Sequence, residues 1–416
     1  MNFIAAPSAR KHGVVIVGAG QAGASCAANL RQAGFPGPIS LIGEEVAAPY
    51  QRPPLSKAWL LGKCTDESIE WKPRSFYAQQ DIDLFLGARV ERLDRKARCV
   101  VLTDGREFPY DYLVIATGAR ARRMAWVAHA ATRLHELRTS LDAARLKASL
   151  RPGSTVLIIG AGYIGLEAAA SARALGAEVT VIEREPRVLA RVACRALSDY
   201  FEGHHRRHGV SFLFNRSVCS IDMESNGVHR VEIDGGEQLH AETVLVGVGA
   251  VPNQELADTA GLECQDGILV DERACTSDKD IYAIGDCTRR PISLYGQRWR
   301  LESVPNALEQ AKQAAAAICG GPLPAEEVPW FWSDQYDTKL QIAGLPIQVA
   351  RLVVRGDAAE GRFAVFHLND RQQVQAVEAV NAAPEFLMGR RLIAARRTVN
   401  VERLCNSKIS MKEVAV

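Results

Sequence analysis

One six-residue glycine pattern occurs twice in this chain, and such a pattern constrains the backbone more tightly than any other stretch of it. The first copy is Gly18-Ala19-Gly20-Gln21-Ala22-Gly23, after the apolar run Val14-Val15-Ile16-Val17. The second is Gly160-Ala161-Gly162-Tyr163-Ile164-Gly165, after Val156-Leu157-Ile158-Ile159 and 142 residues further on (18 to 160). An Ala-rich helical run follows each copy. A lone G-x-G-x-x-G is weak evidence, but two copies, each between a strand-like run and a helical run, specify strand–turn–helix units that hold dinucleotides. The first Gly makes the tight turn, the second lets the backbone approach the pyrophosphate, and the third lets helix and strand pack closely. The pyrophosphate rests on the unpaired amides and positive dipole end of the helix.

Such a unit needs an acid about 20 residues later for the adenosine ribose hydroxyls. Ile39-Ser40-Leu41-Ile42-Gly43 leads to Glu44, and Val179-Thr180-Val181-Ile182 leads to Glu183. A carboxylate at Glu183 accepts from a free 2′-hydroxyl and repels a 2′-phosphate, which favours NADH over NADPH. Arg184, Arg187 and Arg191 follow closely and offer either a phosphate site or a solvated face. A chain that holds two dinucleotides is expected to be a flavoenzyme that takes electrons from a nicotinamide.

With 416 residues the chain has room for about two to three domains. A net charge of +2 makes no case for nucleic acid, and none is expected as a partner. The ten cysteines show no C-x-x-C or zinc spacing, so no metal site is expected and the thiols read as reduced, in a cytoplasmic protein. Residues 152–172 lack Lys and Arg, but their glycines mark the second nucleotide unit and not a membrane span, so no membrane is expected either. The first dozen residues lack the apolar core of a signal peptide.

Each nucleotide unit carries a hairpin signal and a closing strand. Cys99 to Arg106 has Asp104-Gly105 as its turn, and Ile233-Asp234-Gly235-Gly236 repeats the signal. Asp111-Tyr112-Leu113-Val114-Ile115-Ala116-Thr117-Gly118 and the stretch from Thr243 to Asn253 are matching strand-and-turn endings, so the repeat extends past the glycines. Asp280 to Cys287 reads as another strand entering a turn. From about Pro322 aromatic and short strand-like runs take over (348–354, 362–368), with a helix near 384–393. The expected fold is α/β, with two Rossmann-like dinucleotide-binding domains of glutathione-reductase-like type and a C-terminal α+β domain.

Several longer strings resemble one family: Arg52-Pro53-Pro54-Leu55-Ser56-Lys57, Ala116-Thr117-Gly118, Tyr163-Ile164-Gly165-Leu166-Glu167, Gly285-Asp286-Cys287, Glu302-Ser303-Val304-Pro305-Asn306-Ala307 and Trp330-Phe331-Trp332-Ser333-Asp334-Gln335. Together they resemble the FAD- and NADH-dependent ferredoxin reductases of the putidaredoxin reductase type, which serve cytochrome P-450 and aromatic-ring dioxygenase systems. The resemblance covers roughly Gly13 to Ile409. It implies a discontinuous FAD domain (1–117 and 244–322), an NADH domain (118–243) and a C-terminal domain (323–416). FAD contacts carry over to Gly18, Gly20, Ala22, Gly23, Glu44, Arg52, Lys57, Val90, Thr117, Gly118, Arg138, Asp286, Val304 and Trp332. NADH contacts carry over to Gly160, Gly162, Tyr163, Ile164, Gly165, Glu167, Glu183, Arg191 and Gly249.

By the same resemblance Lys57 and Glu167 meet near flavin N5 and are the catalytic pair. Lys57 favours negative charge on the reduced flavin, Glu167 positions the nicotinamide carboxamide, and the flavin carries the chemistry. The implied reaction takes hydride from NADH and passes single electrons to two molecules of a 2Fe–2S ferredoxin. Trp332, with Trp330 beside it, is implied at the docking face, and Arg300 is a candidate for a positive patch that steers an acidic partner. The chain is expected to be a monomer or weak dimer. It departs from the family after Gly118, where Ala119-Arg120-Ala121-Arg122-Arg123-Met124 replaces prolines and small apolar residues.

Other readings use the same architecture. A dithiol reductase needs a redox cysteine pair at C-x-x-x-x-C or C-x-x-C spacing, which is missing. Reduction of rubredoxin, monodehydroascorbate or oxygen stays open as the alternative. A non-enzymatic, apoptosis-inducing type of flavoprotein would call for a targeting segment and a basic surface.

Overall fold

The structure, a computed structural model, describes residues 12–124 and 134–416. The N-terminal extension and part of the stretch between the two nucleotide units lie outside the described residues. The chain divides into two compact units: the described residues of Met1–Gln51 with Ile69–Ala119 and Pro252–Glu327, and Arg52–Ser68 with Arg120–Val251 and Val328–Val416.

The first unit is organised by a five-stranded parallel sheet, in the order Ile281–Ala283, Tyr112–Ile115, Val14–Val17, Ile39–Gly43, Ile82–Leu86. Strands buried on both faces read as unbroken apolar runs, and Val14–Val17 is buried at every position. Alternation divides it between two cores. Val14 and Ile16 join Leu30, Tyr77 and the alanines of the helices Gln21–Gln32 and Val304–Ile318, whereas Val15 and Val17 join Val100, Leu102 and Leu113 on the other face. The second core is completed by the antiparallel strands Val90–Asp94, Cys99–Leu102 and Glu107–Pro109. The Asp104-Gly105 hairpin expected there is formed, with Gly105 at φ +85°.

In the second unit a four-stranded parallel sheet runs Val210–Phe214, Glu178–Glu183, Thr155–Ile159, Thr243–Val246. One face packs on the antiparallel strands Val218–Met223, His229–Ile233 and Gln238–Ala241, which contain the second expected hairpin. The other face meets the helices Tyr163–Ala174 and Arg195–Arg207 in a core shared with Leu340, Phe363, Val365 and Val380. Those four residues belong to a five-stranded antiparallel sheet, in the order Trp330–Gln335, Thr338–Gly344, Val374–Val380, Arg362–Leu368, Arg351–Asp357. The helix Ala383–Ala395 packs so closely on it that a Cβ on Gly389 would lie 2.6 Å from Val377. The strand expected at 348–354 starts three residues later, at Arg351 (348 to 351), because Gln348 takes a left-handed turn conformation at φ +51°. Among the described residues no helix is long and apolar enough to cross a membrane.

Candidate active site

Both glycine patterns form tight strand–turn–helix cradles, and each glycine does what its place requires. Gly18 turns out of its strand at φ +114° and Gly160 at φ +103°. A Cβ on Gly23 would lie 2.0 Å from the Gly18 carbonyl oxygen, and one on Gly165 would lie 2.1 Å from that of Gly160, so only glycine lets these helices sit on their turns. Gly20 and Gly162 are different: a Cβ there would meet nothing within 4 Å. Their missing side chains leave space next to the helix N-termini. Both are N-cap residues, and neither helix has a side-chain cap, so the first-turn amides face that space without an internal acceptor. Gln21 adds a buried side-chain oxygen that has no partner. A dinucleotide pyrophosphate fits such a cradle.

Around the first cradle, a Cβ on Gly285 would come 3.1 Å from the Ala22 methyl, which brings the short helix Gly285–Cys287, and with it Asp286, to the phosphate loop. Gln310 is fully buried and holds that turn. Its Oε1 accepts from the Gly285 amide (2.8 Å), the Thr288 hydroxyl (2.9 Å) and Asn306 (3.2 Å). Thr117 and Gly118 are clasped by Asn253: its amide nitrogen donates to the Gly118 oxygen, its side chain to the Thr117 oxygen, and its own carbonyl accepts from the Thr117 hydroxyl. Val304 begins its helix behind the cap Ser303. Glu44 is exposed one residue beyond its strand and pairs with Arg89 at 2.9 Å, beside Val90.

At the second cradle Glu183 ends its strand with its carboxylate already oriented, accepting from the Ala161 amide (2.7 Å) and the Glu185 amide (3.0 Å). Ile164 is 46% exposed in the first turn of the helix, an apolar side chain left uncovered beside the cradle. Tyr163 packs on Phe331 with 4.5 Å between ring centroids, and burial pushes its phenol well above the usual range. Gly249, at φ +109°, accepts from the Arg122 amide at 2.9 Å, and the Arg191 and Arg122 guanidinium groups reach to 3.8 and 4.0 Å of the place its Cβ would take. The unexpected arginine cluster thus brings at least Arg122 to this cradle, whereas Arg123 pairs with Glu136 at the surface. Arg300 is 16% exposed, and its charge is taken up locally by Asp266 and Glu302.

Lys57 and Glu167 meet. Prolines at the start of the short turn Pro53–Ser56 set its backbone, and Lys57 leaves it with Nζ 2.8 Å from Glu167 Oε2 and 3.2 Å from the Pro53 carbonyl. Arg52, at the head of the turn, donates to the Arg138 carbonyl at 2.7 Å. Glu167 sits on the apolar face of its helix, only 3% exposed. A carboxylate that deep must be paired and hydrogen-bonded. The Ser56 hydroxyl donates to Oε2 (2.5 Å) and the Ser333 hydroxyl to Oε1 (2.6 Å). Both serines lie inside strings that carry the family resemblance, but nothing in those strings shows that they converge on one carboxylate. Trp332 projects from the opposite face of the same strand, 5.6 Å from Trp330, whose ring lies under the Arg390 guanidinium.

The cysteines are all free. Cys26, in the first cradle helix, is pushed up to about 12 by burial, an inert thiol. Cys194, His367 and Glu378 bring their potential ligand atoms within 4.8 Å of one another. Their contacts are those of a helix cap. Glu378 accepts from the Cys194 amide (3.1 and 3.2 Å) at the head of Arg195–Arg207, His367 Nε2 lies 3.6 Å away, and burial with the Glu378 charge lifts the thiol to about 12.

His205 on that same helix is fully buried, with Nε2 2.8 Å from Gln335 Oε1. Burial lowers it from 6.5 to about 4, against the opposing effect of the Gln335 hydrogen bond. The folded protein therefore holds His205 neutral where the unfolded chain protonates it, so stability falls as pH drops from about 6.5 towards 4. Between pH 7 and 4.5 this group alone is expected to remove about 2–3 kcal/mol. Urea denaturation across that range should show a smaller loss in His205→Phe than in the parent chain.

Comparison with known proteins agrees with this geometry. Residues 12–311 match the family described as pyridine nucleotide-disulphide oxidoreductase, and residues 330–415 match the reductase C-terminal family. Putidaredoxin reductase of Pseudomonas putida is 41% identical over 406 residues, 96% of each chain. The ferredoxin–NAD(+) reductase component of the p-cumate 2,3-dioxygenase system of Pseudomonas putida is 40% identical over 404 residues, 97% of this chain and 98% of that one. The crystal structure of the covalent putidaredoxin reductase–putidaredoxin complex superposes with a TM-score of 0.93 at 40% identity, covering 97% of both chains. These family matches and likeness over 96–97% of its length place the chain in the pyridine nucleotide-disulphide oxidoreductase family, among the ferredoxin reductases of the putidaredoxin reductase type.

Proposed function

We propose that the chain is an NADH-dependent ferredoxin reductase: it binds FAD and NADH, takes hydride from the nicotinamide and delivers single electrons to a 2Fe–2S ferredoxin of a cytochrome P-450 or aromatic-ring dioxygenase system. The observation that carries this reading is two glycine cradles in one chain, each open to a dinucleotide pyrophosphate, together with the part-buried Lys57 paired at 2.8 Å with the buried Glu167. The cysteines show neither the C-x-x-C nor the C-x-x-x-x-C spacing that a dithiol reductase uses.

FAD is assigned to the first cradle, with Gly18, Gly20, Ala22, Gly23, Glu44, Val90, Thr117, Gly118, Asp286 and Val304 as its contacts, and Arg52, Lys57, Arg138 and Trp332 also proposed for it. NADH is assigned to Gly160, Gly162, Tyr163, Ile164, Gly165, Glu167, Glu183, Arg191 and Gly249. When bound, the flavin supplies the change from a two-electron to a one-electron carrier, which no side chain offers. The protein's share is orientation and charge. Glu167 accepts from the nicotinamide carboxamide, Lys57 places a cation for the reduced flavin, and Glu183 holds the adenosine ribose and disfavours a 2′-phosphate. The FAD domain is taken as 1–117 with 244–322, the NADH domain as 118–243 and the C-terminal domain as 323–416. A cytoplasmic location and a monomer or weak dimer complete the reading.

The test is anaerobic reduction of the FAD-loaded protein by NADH and by NADPH, followed by electron delivery to putidaredoxin and other 2Fe–2S ferredoxins. NADH should be favoured at least tenfold, and Glu183→Ala should shrink that preference to a few-fold, a change of about 1 kcal/mol or more. A protein that oxidises NADH yet reduces no 2Fe–2S protein overturns the proposal.

A further inference from the structure

We propose that Ser333 is a positioning residue for Glu167, and that it is held in that role by a one-way chain of hydrogen-bond donors running from Tyr336 through His205 and Gln335. The proposal rests on the reading of Glu167 as the acceptor for the nicotinamide carboxamide.

The direction of the chain follows from what each group can do. A carboxylate only accepts, so the single O–H of Ser333 is spent on Glu167 Oε1 at 2.6 Å. The Ser333 oxygen must then accept from Gln335 Nε2, at 3.1 Å. With its nitrogen committed, Gln335 turns its oxygen to His205 Nε2 at 2.8 Å. An amide oxygen also only accepts, so the imidazole carries its proton on Nε2 and leaves Nδ1 as the acceptor for the Tyr336 hydroxyl, 3.4 Å away. Ser333, Gln335 and His205 are all 0% exposed, so water does not compete for these donors. Ser333 and Gln335 share one face of the strand Trp330–Gln335, two residues apart. The imidazole stays neutral through the physiological range, so its tautomer does not change with ordinary pH.

Counting acceptors shows what the chain accomplishes. A carboxylate offers about four lone-pair directions. Lys57 and Ser56 occupy Oε2, and Ser333 occupies one direction on Oε1. One direction on Oε1 is left, in a fixed plane, for an incoming N–H. Aligned donors polarise one another, so each link sharpens the next. Without Ser333 the carboxylate keeps its partners on Oε2 but loses the bond that sets its rotation about Cγ–Cδ. The carboxamide can still bind, though in a plane that no longer aligns the hydride.

Three readouts test this on the FAD-loaded protein. Ser333→Ala should lower the limiting rate of flavin reduction by NADH about tenfold while NADH affinity changes by less than about threefold. Ser333→Thr, which keeps the hydroxyl, should return the rate to within about twofold of the parent chain. If Ser333→Ala fails to fold, Gln335→Met, which removes the donor to Ser333 at similar volume, tests the same link and should show a smaller loss of rate. Imidazole nitrogen NMR without any NADH supplies a reading independent of activity: His205 should appear as the Nε2–H tautomer, unchanged from pH 8 to pH 5. An Nδ1–H tautomer, or Ser333→Ala and Gln335→Met both reducing at the parental rate, overturns the proposal. Glu167→Gln separates the two levels. If it too reduces at the parental rate, the reading of Glu167 itself fails; if it is slow while Ser333→Ala is fast, only the positioning role fails.

Discussion

Replacing Lys57 by Met is expected to slow flavin reduction by NADH about a hundredfold and to cost the protein about 2–3 kcal/mol of stability. The stability loss comes from Glu167, which stays 3% exposed with its principal counter-charge gone, and the rate loss from that same disturbance together with removal of the cation proposed for the reduced flavin. Breaking a buried pair from one side costs about 3–5 kcal/mol. The lower figure applies here because Lys57 is itself 18% exposed and because Ser56 and Ser333 still donate to the carboxylate. The double replacement Lys57→Met with Glu167→Leu discriminates stability from function. Removing both charges should recover most of the lost stability, because no buried charge remains, yet it should leave the reaction as slow as either single change. Urea denaturation and stopped-flow reduction on the four proteins complete the cycle. A double variant that regains the parental rate would show that the pair is structural only.

The glycines of the second cradle provide the other large effect, as a contrast between neighbours. Gly165→Ala puts a methyl 2.1 Å from the Gly160 carbonyl oxygen, so the helix Tyr163–Ala174 must move by more than an ångström or the turn must open. Overpacking of this kind costs about 1–3 kcal/mol and often more when backbone blocks the way. NADH affinity should fall at least a hundredfold, while FAD stays bound, because the first cradle keeps Gly23. Gly162→Ala meets nothing within 4 Å and keeps an extended backbone that alanine adopts readily. It should melt within a few degrees of the parent, the cost being a weaker N-cap. It should still lose NADH affinity at least tenfold, since the new methyl stands where the pyrophosphate approaches. Calorimetric titration with NADH and a thermal melt of each variant suffice. Equal effects of the two substitutions on stability would contradict the division of roles among the glycines.

Much of this molecule is legible from local chemistry. A positive φ at Gly18 and Gly160, the Asp104-Gly105 turn and the unbroken apolar strand Val14–Val17 follow from rules that act over a handful of residues. The strand near 350 shows where such rules lose precision: the β-like run Gln348 to Val354 contains a left-handed residue that only the neighbouring turn makes necessary, so pairing begins at Arg351. Gln310 is a harder case. It is one of three glutamines and glutamates on an Ala-rich helix, and its sequence context does not distinguish the one that holds the Gly285 turn from those that do not.

By itself the sequence determined the two glycine cradles and the acids at or just past the ends of their second strands, because steric limits on the backbone, the missing Cβ of glycine and the exposed amides of a helix start are properties of a few consecutive residues. Only the tertiary structure decided what surrounds Glu167. Its hydrogen-bond donors come from Ser56, 111 residues earlier, and Ser333, 166 residues later, and the chain Gln335–His205 that orients the second spans a further 130. The periodicity of a helix tells which side of it is buried. It does not tell which distant hydroxyl will reach that side, since this depends on how strand and turn are brought against the helix by the packing of the apolar core they share.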